Sequence, residues 1–272
     1  MSNEQPGYIS TERGRLFRVM HRPAAEPAAA VLLVPPCGDE KRAAYGACAR
    51  LARALSSAGA AVLRFDCFGT GDSAGESAEV TLSSMREDAR AAAGEIQRLV
   101  PGAPLMLLGV RLGASLALEI CSGVGARKVA AIAPLLSGAS WLRQERGRKR
   151  LRRSMVRREM TAAGADPQAV GEEPLPDGVA DDLDGLPVSE IFAAELEAFD
   201  MGSSPLPGDR ARSLLVQVSP RRTPLPEIAD IAGRCGAEVL CLHLEPFWQP
   251  LEPGDLAALI TPLEKFLLGD RQ

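Results

Sequence analysis

The hydrophobic positions of this 272-residue chain fall into short apolar runs separated by stretches with helical spacing. Ala28–Val34 (AAAVLLV) is uninterrupted, as expected of a strand covered on both faces of a mostly parallel sheet. Ala61–Asp66, Leu105–Val110, Val129–Leu136, Ser213–Val218 and Glu238–Leu244 read as further strands. Lys41–Ser57, about Thr81–Val100, Leu112 to about Cys121, Pro226–Cys235 and Asp255–Leu268 read as amphipathic helices between or after them. Residues 7–23 alternate loosely around a turn at Gly14 and predict a β-hairpin. Strand-helix alternation of this kind predicts a doubly wound, mostly parallel α/β sheet. Such sheets hold ligands at the carboxyl ends of their strands. The loops that start at Pro35, Cys67, Arg111 and Ser137 are therefore expected to line one pocket.

Between Ser137 and Asp209 the alternation breaks. Trp141–Met160 predicts a basic helix carrying Arg143, Arg146, Arg148, Lys149, Arg150, Arg152, Arg153, Arg157 and Arg158. Glu172–Asp200 holds only acids among its charged residues, among them Glu172, Glu173, Asp177, Asp181, Asp182, Asp184 and Asp200. Its middle reads as a loop and Ser189–Phe199 as a short helix. The organisation expected is a core of residues 1–136 and 210–272 with a helical cap inserted at 137–209. The opposite charges should neutralise one another within the insertion or form a solvated face.

A net charge of −4 gives no reason to expect nucleic acid as a partner. The apolar runs are far shorter than the roughly 20 residues of a membrane span, so no integral membrane segment is expected. The N-terminal Met1-Ser2-Asn3-Glu4-Gln5 lacks the apolar stretch of a signal peptide, which points to the cytoplasm. The six cysteines (Cys37, Cys48, Cys67, Cys121, Cys235, Cys241) have no paired metal-ligand spacing and read as reduced, buried thiols. Neither a metal nor a cofactor is called for, and a homo-oligomer is left open.

The chemistry concentrates at Gly109-Val110-Arg111-Leu112-Gly113, between an apolar strand and an Ala/Leu-rich helix. This is the layout of the Gly-x-Ser-x-Gly nucleophile elbow, a strand-to-helix turn that needs small residues two before and two after its centre. The centre here is Arg111. In an α/β-hydrolase fold the triad runs nucleophile, acid, histidine, which places the acid in the loop after the Leu214–Val218 strand and the histidine in the loop after the last strand. Those loops read Ser219-Pro220-Arg221-Arg222-Thr223-Pro224 and Glu245-Pro246-Phe247-Trp248, without carboxylate or imidazole at the expected places. His21 lies in the hairpin and His243 inside the expected last strand, where it reads as a core or edge histidine or a displaced base. Without an oriented base a serine hydroxyl is barely nucleophilic, which excludes the ordinary serine-hydrolase route.

Arg111 presents a permanent planar cation suited to a carboxylate or phosphate. An internal ion pair with Asp66, Glu40 or Asp72 is the competing reading. Cys37, in the loop that supplies an oxyanion donor in hydrolases, is a candidate thiol nucleophile that needs a lowered pKa. Ser115 reads as a helix-packing residue. The candidate ligand-binding set is Arg111, Cys37, Gly38, Glu40, Asp66, Leu112 and Trp248, with Arg111, Cys37 and His243 the catalytic candidates.

Three segments, Pro35–Glu40, Phe65–Gly75 and Gly109–Ala114, resemble the second family of exosortase A system-associated hydrolases. Pro134–Gly138, Asp184–Ser189 and Glu245–Trp248 extend the resemblance over most of the chain. The Gly-x-Arg-Leu-Gly-Ala elbow together with the Pro-Phe-Trp loop is its most specific part. The resemblance implies an α/β-hydrolase fold and a bacterial setting of exopolysaccharide production and PEP-CTERM protein sorting, with Arg at the elbow a family trait. Two functions follow. One is hydrolysis or transfer of an acyl or ester group by a route without a Ser-His-Asp triad. The other is a pseudo-hydrolase that binds an anionic or acyl small molecule.

Overall fold

The computed structural model describes residues 4–164, 166, 175, 178–183, 186–208, 211–249 and 255–269. Glu172, Glu173, Asp177 and Asp184, and with Asp184 and Gly185 part of one segment carrying the resemblance, lie outside them.

A hairpin of β1 (Glu4–Thr11) and β2 (Gly14–His21) opens the chain. There follow β3 (Ala29–Val34), α1 (Gly38–Ser57), β4 (Ala60–Phe65), α2 (Leu82–Leu99), β5 (Leu105–Val110), α3 (Leu112–Ile120) and β6 (Lys128–Ile132). After a long segment come β9 (Arg212–Val218), α6 (Pro226–Cys235), β10 (Glu238–Leu242) and α7 (Ala257–Leu268). The segment between β6 and β9 holds α4 (Gly138–Ala162), β7 (Val179–Asp182), β8 (Pro187–Ser189) and α5 (Glu190–Ala198). The eight strands of the main sheet run in the order β1-β2-β4-β3-β5-β6-β9-β10. β2 pairs antiparallel with β1 and β4, and the remaining neighbours are parallel. This is the α/β-hydrolase fold, doubly wound and mostly parallel.

The period-two alternation of the central strands splits the core in two. Ala30, Leu32, Val34, Leu105 and Leu107 face α2, α3 and α6, whose buried residues share their cluster. Val31, Leu33, Met106, Leu108 and Val110 face α1 and α7. Both faces are apolar because both are covered, which is why the strands read as continuous runs.

Two expected strands end early. β6 stops at Ile132 instead of Leu136, because Ala133 turns out of the ladder with φ 45°. β10 stops at Leu242, so His243 begins the following loop and does not lie inside the strand. The expected loop between the basic helix and α5 contains the antiparallel β7–β8 pair.

Trp141, Leu142, Val188, Phe192, Leu196 and Phe199 are buried in the same apolar cluster as α2 and α3. Glu195 of α5 also accepts hydrogen bonds from the backbone N–H groups of Leu82 (2.6 Å) and Ser83 (3.2 Å), satisfying orphan donors at the start of α2. The segment is thereby tied to the sheet by packing and by polar contacts. Asp181 pairs with Arg146 at 2.9 Å and Lys149 at 3.1 Å, so acid and base from its two halves do meet. No described helix is long and apolar enough to cross a membrane.

Candidate functional site

β5 ends at Val110 and α3 begins at Leu112, leaving Arg111 alone in the turn with φ 56° and ψ −121°. A non-glycine residue at positive φ is strained and persists only where its surroundings hold it there. Gly109 and Gly113 explain how the turn closes. A Cβ on Gly109 would run into Ala114 Cα and the Gly113 carbonyl, and one on Gly113 into the carbonyls of Val34 and Pro35. Strand, helix and the neighbouring loop pass too close for any side chain there. The turn has the shape of a nucleophile elbow.

The Arg111 side chain is 13% exposed and already partnered. Its Nε donates to Glu40 Oε1 at 2.9 Å and its Nη1 to the Ala133 carbonyl at 3.1 Å. Its guanidinium carbon stands 5.2 Å from the centroid of the Trp248 ring, a cation-π contact. Of the three internal partners considered from sequence, Glu40 is the one it takes. Asp66 instead pairs with Lys41 at 2.7 Å, and Asp72 is exposed.

Glu40 belongs to the first turn of α1 and is fully buried. Burial pushes its carboxyl above the usual range, while the charge and hydrogen bond of Arg111 pull the other way. Its Oε2 and the indole Nε1 of Trp141 are both buried without a hydrogen bond of good geometry. The indole is nevertheless close enough to favour the charged carboxyl. Glu145 of α4, hydrogen-bonded to Arg148, is also raised, first by burial and also by the nearby Glu40 charge. Two carboxyls and two guanidiniums thus form one cluster beneath α4.

The three loops that carry catalytic machinery in a hydrolase each bring something else here. The elbow brings Arg111. The loop after β10 brings Trp248 against Arg111. The loop after β9 brings Ser219, whose Oγ accepts from Gln217 Nε2 of β9 at 2.9 Å, while Gln217 Oε1 accepts from Leu225 N at 2.7 Å. His243 is exposed, which removes its core reading, and it makes no hydrogen bond or ion pair with the described residues. Ser115 is fully buried and donates to the Leu135 carbonyl at 2.7 Å, a packing role.

Cys37 follows β3 as expected but is buried, and burial, followed by the Glu40 charge, pushes its thiol up to about 12. Arg111 is spoken for by Glu40 and does not activate it. A thiol held protonated at neutral pH is no nucleophile.

Beside the cluster lies an open cleft of about 550 Å³. Gly38, Asp39, Lys41 and Tyr45 of α1 form one wall, Asp66, Thr70 and Gly71 the other, and Leu186 from the β6–β9 segment borders it. Lys41 Nζ spans the floor, donating to Thr70 Oγ1 at 2.9 Å while paired with Asp66. Gly38 and Asp66 of the candidate set line this cleft. Arg111, Glu40 and Trp248 come together in a cluster joined to the cleft through α1, where Glu40 lies between the cleft-lining Asp39 and Lys41. None of the three lines the cleft, and Leu112 is fully buried.

The comparisons with known proteins agree with this fold. Residues 25–168, more than half of the chain, match the family described as serine aminopeptidase, S33. The chain belongs to that α/β-hydrolase family. No curated protein sequence matches this S33-family chain. Among solved structures, ferulic acid-bound Est1E from Butyrivibrio proteoclasticus superposes with a TM-score of 0.65 at 14% identity, covering 96% of this chain and 98% of its own. An esterase from Pyrococcus furiosus gives 0.60 at 14% identity over 97% and 88%. The bottromycin epimerase BotH in complex with bottromycin A2 gives 0.57 at 17% identity over 97% and 98%.

Trp141, Glu145, Arg148 and Lys41 complete the site of this S33-family member and were not singled out from sequence. Trp141 and Glu145 stand one turn apart in the basic helix, the spacing that places two residues on one face. Lys41 carried no signal, since a lysine in an amphipathic helix reads as surface.

Proposed function

We propose that this S33-family protein is a pseudo-hydrolase, a binding or accessory protein for a small acyl or anionic molecule. The observation that carries the reading is Arg111 at the nucleophile position, locked to Glu40 and stacked on Trp248. Hydrolysis of an ester needs a nucleophile, a base to take its proton and donors for the oxyanion. Here the first is replaced by a permanent cation, and the imidazole that begins the loop after β10, His243, is exposed and has no hydrogen-bond partner among the described residues. Three of the five guanidinium N–H groups of Arg111 have no partner among the described residues and can meet an anionic or carbonyl oxygen brought to the elbow. Lys41 adds a second cation on the floor of that cleft.

The setting implied by the resemblance, exopolysaccharide production with PEP-CTERM sorting, is the one in which we place this role. Its support is that the two most specific segments, the arginine elbow and the Pro-Phe-Trp loop, meet in the Arg111–Trp248 contact.

The test is turnover of a panel of acyl esters and thioesters, with thermal-shift binding of the same compounds and their free acids. Binding without hydrolysis above background, weakened in Arg111→Ala, is the expected result. Hydrolysis lost in Arg111→Ala or Glu40→Gln would establish an enzyme with an unconventional mechanism instead.

A further inference from the structure

α4 carries nine basic residues against two acidic ones, in a chain whose net charge is −4. Its two sides are unlike. Trp141, Leu142 and Glu145 are buried against the body of the protein. Arg146, Lys149 and Arg152 on that side pair with Asp181 and Asp39. On the opposite side, Arg150, Leu151, Ser154, Met155 and Arg158 follow one another at one- and three-residue steps and form a continuous stripe. Leu151 is 64% exposed and Met155 54%, while Arg150 and Arg158 are exposed and make no ion pair with the described residues. A docked helix ordinarily turns leucine and methionine inward and spreads both signs of charge outward. This one presents apolar side chains between unpaired arginines.

We propose that this stripe of α4 docks the protein on an anionic lipid surface. Arginines attract the headgroup charge, and long apolar side chains between them enter the headgroup boundary, a combination that a helix lying in the interface uses. A nucleic acid would engage the arginines but gives Leu151 and Met155 nothing to enter. The negative remainder of the molecule also disfavours a long polyanion wrapping around it. Docked this way, α4 lies on the membrane while its Arg152–Asp39 pair (3.5 Å) ties it to the rim of the cleft. The cleft then opens close to the lipid surface.

Flotation of the full chain with vesicles of phosphatidylcholine, with and without phosphatidylglycerol, tests the proposal. Binding is expected only to the anionic vesicles and should weaken as salt is added. An arginine near the surface contributes about fivefold in partitioning (~1 kcal/mol), so Arg150→Glu with Arg158→Glu should lower it by on the order of 25-fold or more. Leu151→Asp with Met155→Asp should lower it as well. All four positions are exposed, and unchanged thermal unfolding of both variants would show them folded. Should either fail to fold, the wild-type comparison between the two vesicles and its salt dependence still decides. The proposal fails if neither vesicle binds, if both bind equally, or if either folded double variant binds like wild type. It also fails if heparin or duplex DNA binds through Arg150 and Arg158 as tightly as the vesicles do, independently of Leu151 and Met155, since that would be a site for soluble polyanions.

Discussion

Arg111 Nε lies 2.9 Å from Glu40 Oε1, joining the elbow after β5 to the first turn of α1 across 71 residues of sequence. Glu40 is fully buried and the Arg111 side chain only 13% exposed, so each charge depends on the other. Glu40→Leu alone leaves a buried guanidinium facing apolar surface and should cost ~3–5 kcal/mol, whereas Glu40→Leu with Arg111→Met should recover most of it. Urea unfolding of the two singles and the double closes the cycle. Simple additivity of the single effects would mean that the two side chains are not coupled.

The elbow glycines make a sharper structural prediction. Gly113→Ala pushes a methyl into the carbonyls of Val34 and Pro35, and overpacking of this kind costs ~1–3 kcal/mol or more. Gly46→Ala, in the exposed interior of α1 with open space around it, should instead stabilise by ~0.5–1 kcal/mol. Thermal unfolding of the pair separates crowding from backbone entropy. Equal effects would show that the turn is not closely packed.

His21 gives the molecule an acid-sensitive step. Burial, and then the Arg64 charge beside it, lowers its pKa from 6.5 to about 4, and its Nε2 accepts from Arg64 Nε at 3.0 Å. As pH falls through 6.5 the unfolded chain takes up the proton while the folded one does not. Stability is therefore lost progressively from about pH 6.5 down to about 4, by at most roughly 3 kcal/mol. His21→Gln should flatten that slope. Denaturant unfolding at a series of pH values across the window measures it, and an unchanged slope in the variant would assign the effect elsewhere.

Thiol accessibility tests the rejection of Cys37 as a nucleophile. Cys37, Cys48, Cys67 and Cys121 are buried, with thiols raised by burial, while Cys235 and Cys241 are partly exposed. Mass mapping after brief iodoacetamide treatment of the native protein should find label at Cys241 and Cys235, with the other four reacting only after unfolding. Rapid labelling of Cys37 would return it to the list of candidate nucleophiles.

Most of the fold was legible because it rests on local pattern. A strand covered on both faces must be apolar throughout, and Ala29–Val34 and Leu105–Val110 are. The glycines at 109 and 113 announced the elbow for an equally local reason, the close approach of two backbones. The ends of β6 and β10 were not legible. Ala133 leaves its ladder through a positive φ that no alanine signals in sequence, and His243 follows a strand whose apolar pattern runs on to Leu244. The site was half legible. Arg111 at the centre of the elbow could be read directly, but the choice of Glu40 over Asp66 as its partner depends on where α1 starts relative to the elbow. The α4 side of the cluster, Trp141 and Glu145, was hidden because a helix with nine basic residues reads as solvated until its docked face is seen.

The most direct measurement of the central claim is intact-mass analysis of the protein after incubation with a fluorophosphonate, which forms a covalent adduct only with an activated nucleophile. The wild type should show no adduct, and neither should Arg111→Ser, because no base stands ready to take the new hydroxyl proton. A stoichiometric adduct on the wild type, mapped to a residue beside the elbow, would contradict the account and identify the nucleophile of a working hydrolase.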